Sequence, residues 1–157
     1  MAYQKLQARR ALAVVTDNNI DIPNPAATAA SGTTSAATAS KLTDSSATFL
    51  NDNIKVGDIV YDTTTPAVTT VTAVDSDTVL SVATGIGNTK DYVIYSQTDN
   101  PSNGCVLFAG AAGDINLITV DGDTVLFKGI VAGQFLPVQI KRVKATSTTA
   151  TDIVALW

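Results

Sequence analysis

Few side chains in this 157-residue chain can carry chemistry, and most of those are carboxylates. Histidine is absent, which removes the commonest general base, proton shuttle and transition-metal ligand. Cys105 is the single cysteine. It has no partner for a Cys-His dyad, a zinc cage or an internal disulfide, and its place in the apolar run CVLFAG marks a buried, inert thiol. Two acidic pairs, Asp75/Asp77 and Asp121/Asp123, each flank a small residue and have oxygens to offer calcium. A calcium loop needs about six or seven oxygens at graded spacing, and no EF-hand or RTX pattern surrounds either pair, so turn chemistry explains both. Gly110 to Asp114 (GAAGD) has the glycines of a phosphate loop but lacks the Gly-Lys-Ser/Thr ending and lies between two strand-like runs. It reads as a glycine-assisted connection. No catalytic, cofactor or metal residue is assigned, and the chain is expected to be non-enzymatic.

Positive charge gathers at Lys5, Arg9 and Arg10 and again at Lys141, Arg142 and Lys144. Such clusters either guard a solvated strand edge or dock onto an acidic partner surface. In QIKRVKA the alternation slips at Arg142-Val143, as in a bulge that re-aims side chains. With a net charge of -4 the chain lacks the dense cationic field that nucleic-acid binding requires. Only 15% of residues are charged, below the usual quarter. A surface of Thr, Ser, Ala and Asn then does the solubilising, and such groups lose little on leaving water compared with full charges. That favours a protein whose outside becomes an interface. No run approaches the roughly 20 apolar residues of a membrane span. The start MAYQKLQARRALAVV is only loosely like a signal peptide, its apolar run being too short, and a lone cysteine suits assembly in a reducing cytoplasm.

The elements that must position these groups are strands. Apolar residues alternate with polar ones in short runs rich in Val, Ile, Thr, Tyr and Phe. Strands are expected at Asp58 to Asp62, Val68 to Val74, Thr78 to Val82, Tyr92 to Ser96, Cys105 to Ala109, Ile115 to Val120, Thr124 to Ile130, Pro137 to Val143 and Asp152 to Trp157. Turn signals separate them at DSD (75 to 77), GIGN (85 to 88) and DGD (121 to 123), the last being the strongest hairpin signal. Only YQKLQARRALAVV has helix-forming composition, and an extended arm fits it equally well.

Residues 26 to 40, AATAASGTTSAATAS, carry neither charges nor large apolar groups and read as a low-complexity linker. That linker starts after IPNP (22 to 25), and a second Asn-Pro occurs in DNPSNG (99 to 104). The pair resembles the two lips of an insertion. The expected organisation is a discontinuous β-sandwich main domain, residues 1 to 25 plus 100 to 157, with a small β-barrel-like module at 41 to 98. The fold class is all-β. The module's core is expected from Phe49, Ile54, Val56, Ile59, Tyr61, Val71, Val74, Leu80, Val82, Tyr92, Ile94 and Tyr95. A core this thin supplies only about 3–5 kcal/mol.

In the ending TDIVALW, Ile153, Ala155 and Trp157 fall on one face of a strand and Val154 and Leu156 on the other. A strand apolar on both faces must be covered on both, so Ile153, Leu156 and Trp157 join Arg9, Arg10, Lys141 and Arg142 as candidate interface residues. Trp157 suits an interface anchor and equally suits closing its own core.

The Gly113-Asp114 turn, the hairpin DGDTVLFKG, the strand FLPVQIKRV and the ending ATSTTATDIVALW, with ALAVVTDNNIDIPNP before them, resemble the spike-base proteins of gene transfer agents and related small virion proteins of tailed phages. The likeness covers roughly half the chain, in two pieces. The inserted block, with VGDIVYDTT and AVTTVTAVDSDTVLS, looks like small β-modules of phage structural proteins, and the spike base itself is shorter and lacks it. What the resemblance implies is a virion-located homo-oligomer on the capsid surface, contacting the major capsid protein or other virion proteins and holding a fibre or spike, or acting as a decoration protein. A tail, neck or baseplate component is the alternative within that class. A glycan-binding module for host attachment is the alternative outside it, with Tyr61, Tyr92 or Tyr95 stacking on sugars.

Overall fold

A computed structural model describes residues 8–97 and 104–157. The chain divides into two compact units, Met1–Pro25 with Ser102–Trp157, and Ala26–Pro101. The second Asn-Pro of the proposed lips, Asn100-Pro101, lies outside the described residues. The protein is all-β, and no helix occurs among the described residues. Of the start YQKLQARRALAVV, residues 3 to 7 lie outside the described residues, and Ala11–Ala13 are extended as strand β1.

The twelve strands run in chain order β1 (Ala11–Ala13), β2 (Thr28–Thr33), β3 (Lys41–Thr43), β4 (Ile59–Asp62), β5 (Ala67–Val74), β6 (Val79–Val82), β7 (Asp91–Tyr95), β8 (Cys105–Ala109), β9 (Gly113–Thr119), β10 (Thr124–Ile130), β11 (Gln134–Val143) and β12 (Ile153–Leu156). The discontinuous unit holds a six-stranded antiparallel sheet in the order β1-β12-β8-β11-β9-β10. The inserted unit holds another, β2-β7-β4-β5-β6-β3. One of the two sheets curls into a half-barrel, and the architecture is that of a β-sandwich with a barrel-like module.

Period-two alternation puts Cys105, Leu107 and Ala109 of β8, Ile115 and Leu117 of β9, and Ile153 and Ala155 of β12 into one core, closed by Ile22 and Ala150. The β9-β10 hairpin turns at Asp121 to Asp123, with Gly122 at φ 102° and its N–H donating to the Thr119 carbonyl. That φ favours glycine. β11 begins earlier than its sequence indicates and is irregular. Its pairing with β8 shifts between Leu136 and Ile140, at Pro137, which has no N–H for the ladder. Pairing with β9 shifts again between Ile140 and Arg142, the bulge foreshadowed in QIKRVKA.

Residues 26 to 40 are not a linker. Thr28–Thr33 form β2, an edge strand paired with β7 from Thr28↔Tyr95 to Thr33↔Asp91. Its small residues have a packing reason rather than a flexibility reason. The Tyr92 hydroxyl donates to Asp44 Oδ2 at 2.8 Å beneath the strand, and a Cβ on Gly32 would stand 2.3 Å from that oxygen. Beyond the strand, Thr34 Oγ1 donates to the Gly87 carbonyl and accepts from the Lys90 N–H, tying the segment down.

The inserted core centres on Leu42, Phe49, Val60, Val71, Leu80, Tyr92 and Ile94. Val56, expected inside, is 64% exposed. The Asp58 carboxylate accepts the Lys55 N–H and the Asp58 N–H bonds the Lys55 carbonyl, and this turn directs Val56 to solvent.

Candidate functional site

Part of the main sheet's outer face, on β1, β12, β8 and β11, is apolar. Along β8, Val106 and Phe108 alternate with the buried Cys105, Leu107 and Ala109 and are half-buried. The register carries this outer face across strands. Phe108 lies opposite Val154 of β12 and opposite Phe135 of β11, and Val154 in turn opposite Ala13 of β1. The neighbouring row runs Val106, Leu156, Ala11. Paired residues share a face, so both rows are apolar throughout. The Phe108 and Phe135 rings meet at 5.1 Å in a tilted arrangement, a geometry worth about 0.5–1.5 kcal/mol beyond burial. Phe135 still leaves 58% of its surface exposed.

Leu156 is thus the one candidate interface residue that lies in this patch. Ile153 is buried in the unit's own core, which corrects its assignment to an interface. β12 lies between β1 and β8, so both its backbone edges are paired, and its inner face, Ile153 and Ala155, is covered by the unit's own core. Trp157 is half-buried and packs against the same core, so part of its ring closes the unit's own core. Its carbonyl accepts from the Arg9 and Arg10 N–H groups, and its own N–H donates to the Arg10 carbonyl. Among the described residues the indole N–H has no hydrogen-bond partner.

The cationic candidates are mainly fasteners. Arg142 ion-pairs with Asp21 at 2.7 Å and donates from Nη1 to the Asn18 carbonyl at 3.0 Å. Asn18 Oδ1 accepts the Thr146 N–H. Arg142 therefore holds the segment after β1 onto β11, which corrects its reading as a docking charge. Lys141 is half-buried, and its carbonyl accepts the Ile22 N–H. Arg10 donates to the Pro25 carbonyl; Arg9 and Arg10 are exposed.

Of the residues weighed for chemistry, Cys105, Asp75, Asp77 and the GAAGD segment are engaged structurally, while Asp121 and Asp123 are exposed at the hairpin tip. Cys105 is buried, donates to the Ile140 carbonyl at 3.4 Å, and burial pushes its thiol up to about 12. Asp75 accepts from Lys41 and Ser81, and those bonds, the one to Lys41 foremost, hold its carboxyl below the usual range. Asp77 accepts the Leu50 N–H. Gly110 and Ala111 donate to the Asp152 and Thr151 carbonyls, so GAAGD is a backbone-paired connection. No group of three or more metal-ligating side chains occurs among the described residues. Tyr61, Tyr92 and Tyr95 are 4%, 2% and 6% exposed. They have no free ring face for a sugar, and the glycan reading loses the residues it named.

Val106, Phe108 and Phe135 were not singled out from the sequence. The signal is present in CVLFA, where every second residue is claimed by the core and the intervening ones are apolar too, as in the ending IVAL. Compared with known protein families, curated proteins and solved structures, the chain matches none.

Proposed function

We propose that the chain is a homo-oligomeric structural subunit of a phage-like particle, seated on the capsid surface as the base of a spike or fibre or as a decoration protein. The observation that carries this reading is the outer sheet face. Two cross-strand rows, Ala13-Val154-Phe108-Phe135 and Ala11-Leu156-Val106, offer contiguous apolar surface. Contiguous apolar patches mark interaction sites more often than isolated exposed side chains do, and a neighbouring virion protein such as the major capsid protein is the partner that covers this one. Support also comes from the low charge, which makes desolvation cheap, and from the likeness of the DGDTVLFKG hairpin and the C-terminal run to spike-base proteins.

The test is incorporation. Particles from cells expressing a tagged chain are banded on a density gradient, with wild type beside Phe135→Asp. Wild type is expected to co-band with capsid protein and the folded variant to remain at the top. A folded wild-type chain absent from the particle band would overturn the reading.

A further inference from the structure

The inserted sheet curls until a bridge from Ala36, just past β2, to Thr43 of β3 joins its two edges, and it has a small cavity at one end. The strand register shows which side chains face that cavity. Asp62 of β4 lies opposite Ala67 of β5 and Tyr92 of β7, two residues on from Val60, which lies opposite Thr69 and Ile94. Val60, Tyr92 and Ile94 belong to the unit's core, and residues that are paired or two apart share a face. Asp62 and Thr69 therefore point inward, and they are 6% and 3% exposed. With Ala67 at the rim and the 84–87 loop as the far wall, they line a cavity of about 80 Å³.

A carboxylate in such a place needs donors for both oxygens. Oδ1 accepts the Thr64 and Thr65 N–H groups, both at 2.9 Å. Among the described residues nothing donates to Oδ2, and Asp62 takes part in no ion pair. Lys90, whose stem passes Gly87, spends its ammonium on Thr65 Oγ1.

The geometry points to this cavity as a site for one primary alkylammonium group, the chemistry of a lysine side chain, with Asp62 Oδ2 as its acceptor and Ala67 and Ile86 against its methylenes. The site lies in the inserted unit and stands whether or not the main sheet docks on a particle. Size restricts the occupant to a side-chain tip, since pockets that enclose whole small molecules run to about 300–1,000 Å³. A bare divalent ion needs about six or more oxygens, whereas this wall is largely apolar and no group of three metal-ligating side chains occurs among the described residues. A guanidinium presents a planar fork suited to two acceptors. Asp62 has one to offer, and Thr69 Oγ1 already accepts the Thr84 N–H.

Amide NMR on the full chain tests this with n-butylammonium against sodium chloride of equal ionic strength. Wild type should show saturable shifts at Thr64, Thr65 and the 84–87 loop, and smaller ones with ethylguanidinium or calcium. Asp62→Asn keeps an Oδ1 for the two turn N–H groups but loses the charge, and it should bind at least about tenfold more weakly. Ala67→Leu, at an exposed rim position, narrows the mouth without touching the carboxylate and should abolish saturation. Thermal melts confirm that both variants are folded. Nα-acetyllysine N-methylamide separates the two sources of the group: shifts with it as well as with butylammonium assign a partner's lysine, and shifts with butylammonium alone assign a free amine. Wild-type shifts no larger than those from sodium chloride would overturn the site. So would a calcium response exceeding that to butylammonium, or a folded variant that binds as wild type does.

Discussion

Gly32→Ala should unfold or severely weaken the inserted unit, although the position lies in a stretch that looks like linker. An alanine Cβ there would stand 2.3 Å from Asp44 Oδ2, 2.8 Å from Tyr92 Oη and 3.2 Å from Tyr92 Cζ. Neither neighbour can yield freely. Asp44 is 5% exposed and held at both oxygens, Oδ2 by the Tyr92 hydroxyl at 2.8 Å and Oδ1 by the Ser46 N–H at 2.9 Å. Tyr92 is 2% exposed and its ring packs on Phe49 at 6.3 Å. Breaking the buried bond costs about 1–3 kcal/mol, and forcing the ring aside costs about 1–3 kcal/mol more. Alanine returns about 0.4–1 kcal/mol by restricting the unfolded chain. The net loss is about 1–5 kcal/mol, which reaches the whole stability of so small a core. Three of the four tyrosines, Tyr61, Tyr92 and Tyr95, lie in this unit and Trp157 in the other, so near-ultraviolet dichroism weights the inserted unit while tryptophan emission reports on the other. The tyrosine transition should fall by at least about 4–8 °C, while Ser31→Ala, exposed on the same strand, should change stability by less than about 0.5 kcal/mol. A Gly32→Ala melt within about 2 °C of wild type would refute the packing argument.

The remaining expectations concern titration and core packing. Cys105 should resist a thiol reagent in the folded chain and react only on unfolding, since burial pushes its pKa up to about 12; prompt native-state reaction would contradict its placement. Burial raises the Tyr61, Tyr92 and Tyr95 phenols above 10.0, with the Asp44 bond adding to the rise at Tyr92. Their contribution to stability is complete below 10.0 and is lost as pH rises through the folded values, so phenolate absorbance should appear together with loss of the tyrosine dichroism rather than before it. Asp75 behaves oppositely: its folded pKa lies below 3.8, so its contribution is complete above 3.8 and is lost as pH falls through the folded value. Lys41→Met should reduce that acid dependence in thermal melts taken above and below 3.8, leaving the smaller part due to the Ser81 bond. Leu107→Ala, at a fully buried site, should cost about 2–5 kcal/mol in denaturant titrations followed by Trp157 emission, and a change below about 1 kcal/mol would place Leu107 outside the core.

Strand positions were legible wherever alternation met β-branched residues, and β8 and β10 begin and end where the pattern says. What composition hid was β2. Its signal is the absence of side chains above a buried Tyr-Asp pair, and nothing local in AATAASGTT distinguishes that from a flexible tether. β3 was missed because Lys41–Thr43 has one apolar residue, Leu42, whose complete burial depends on distant partners. The doubly apolar ending does place Val154 and Leu156 on the sheet face opposite Ile153 and Ala155. Which of the two faces meets the unit's own core was not legible, because it depends on what packs across the sheet from β12. Arg142 misled for a related reason. A cation on a bulge looks available until the loop carrying Asp21 and Asn18 is folded back upon it.

On the proposed function, another protein chain covers the outer face of the main sheet in the assembled particle. Hydroxyl-radical footprinting of Phe108, Phe135 and Leu156, compared between the dissociated chain and intact particles, tests it most directly. Leu50, 60% exposed in the inserted unit, serves as reference. The account predicts that all three outer-face residues oxidise in the free chain and are protected in particles relative to Leu50. Equal oxidation of Phe108, Phe135 and Leu156 in both states would contradict it.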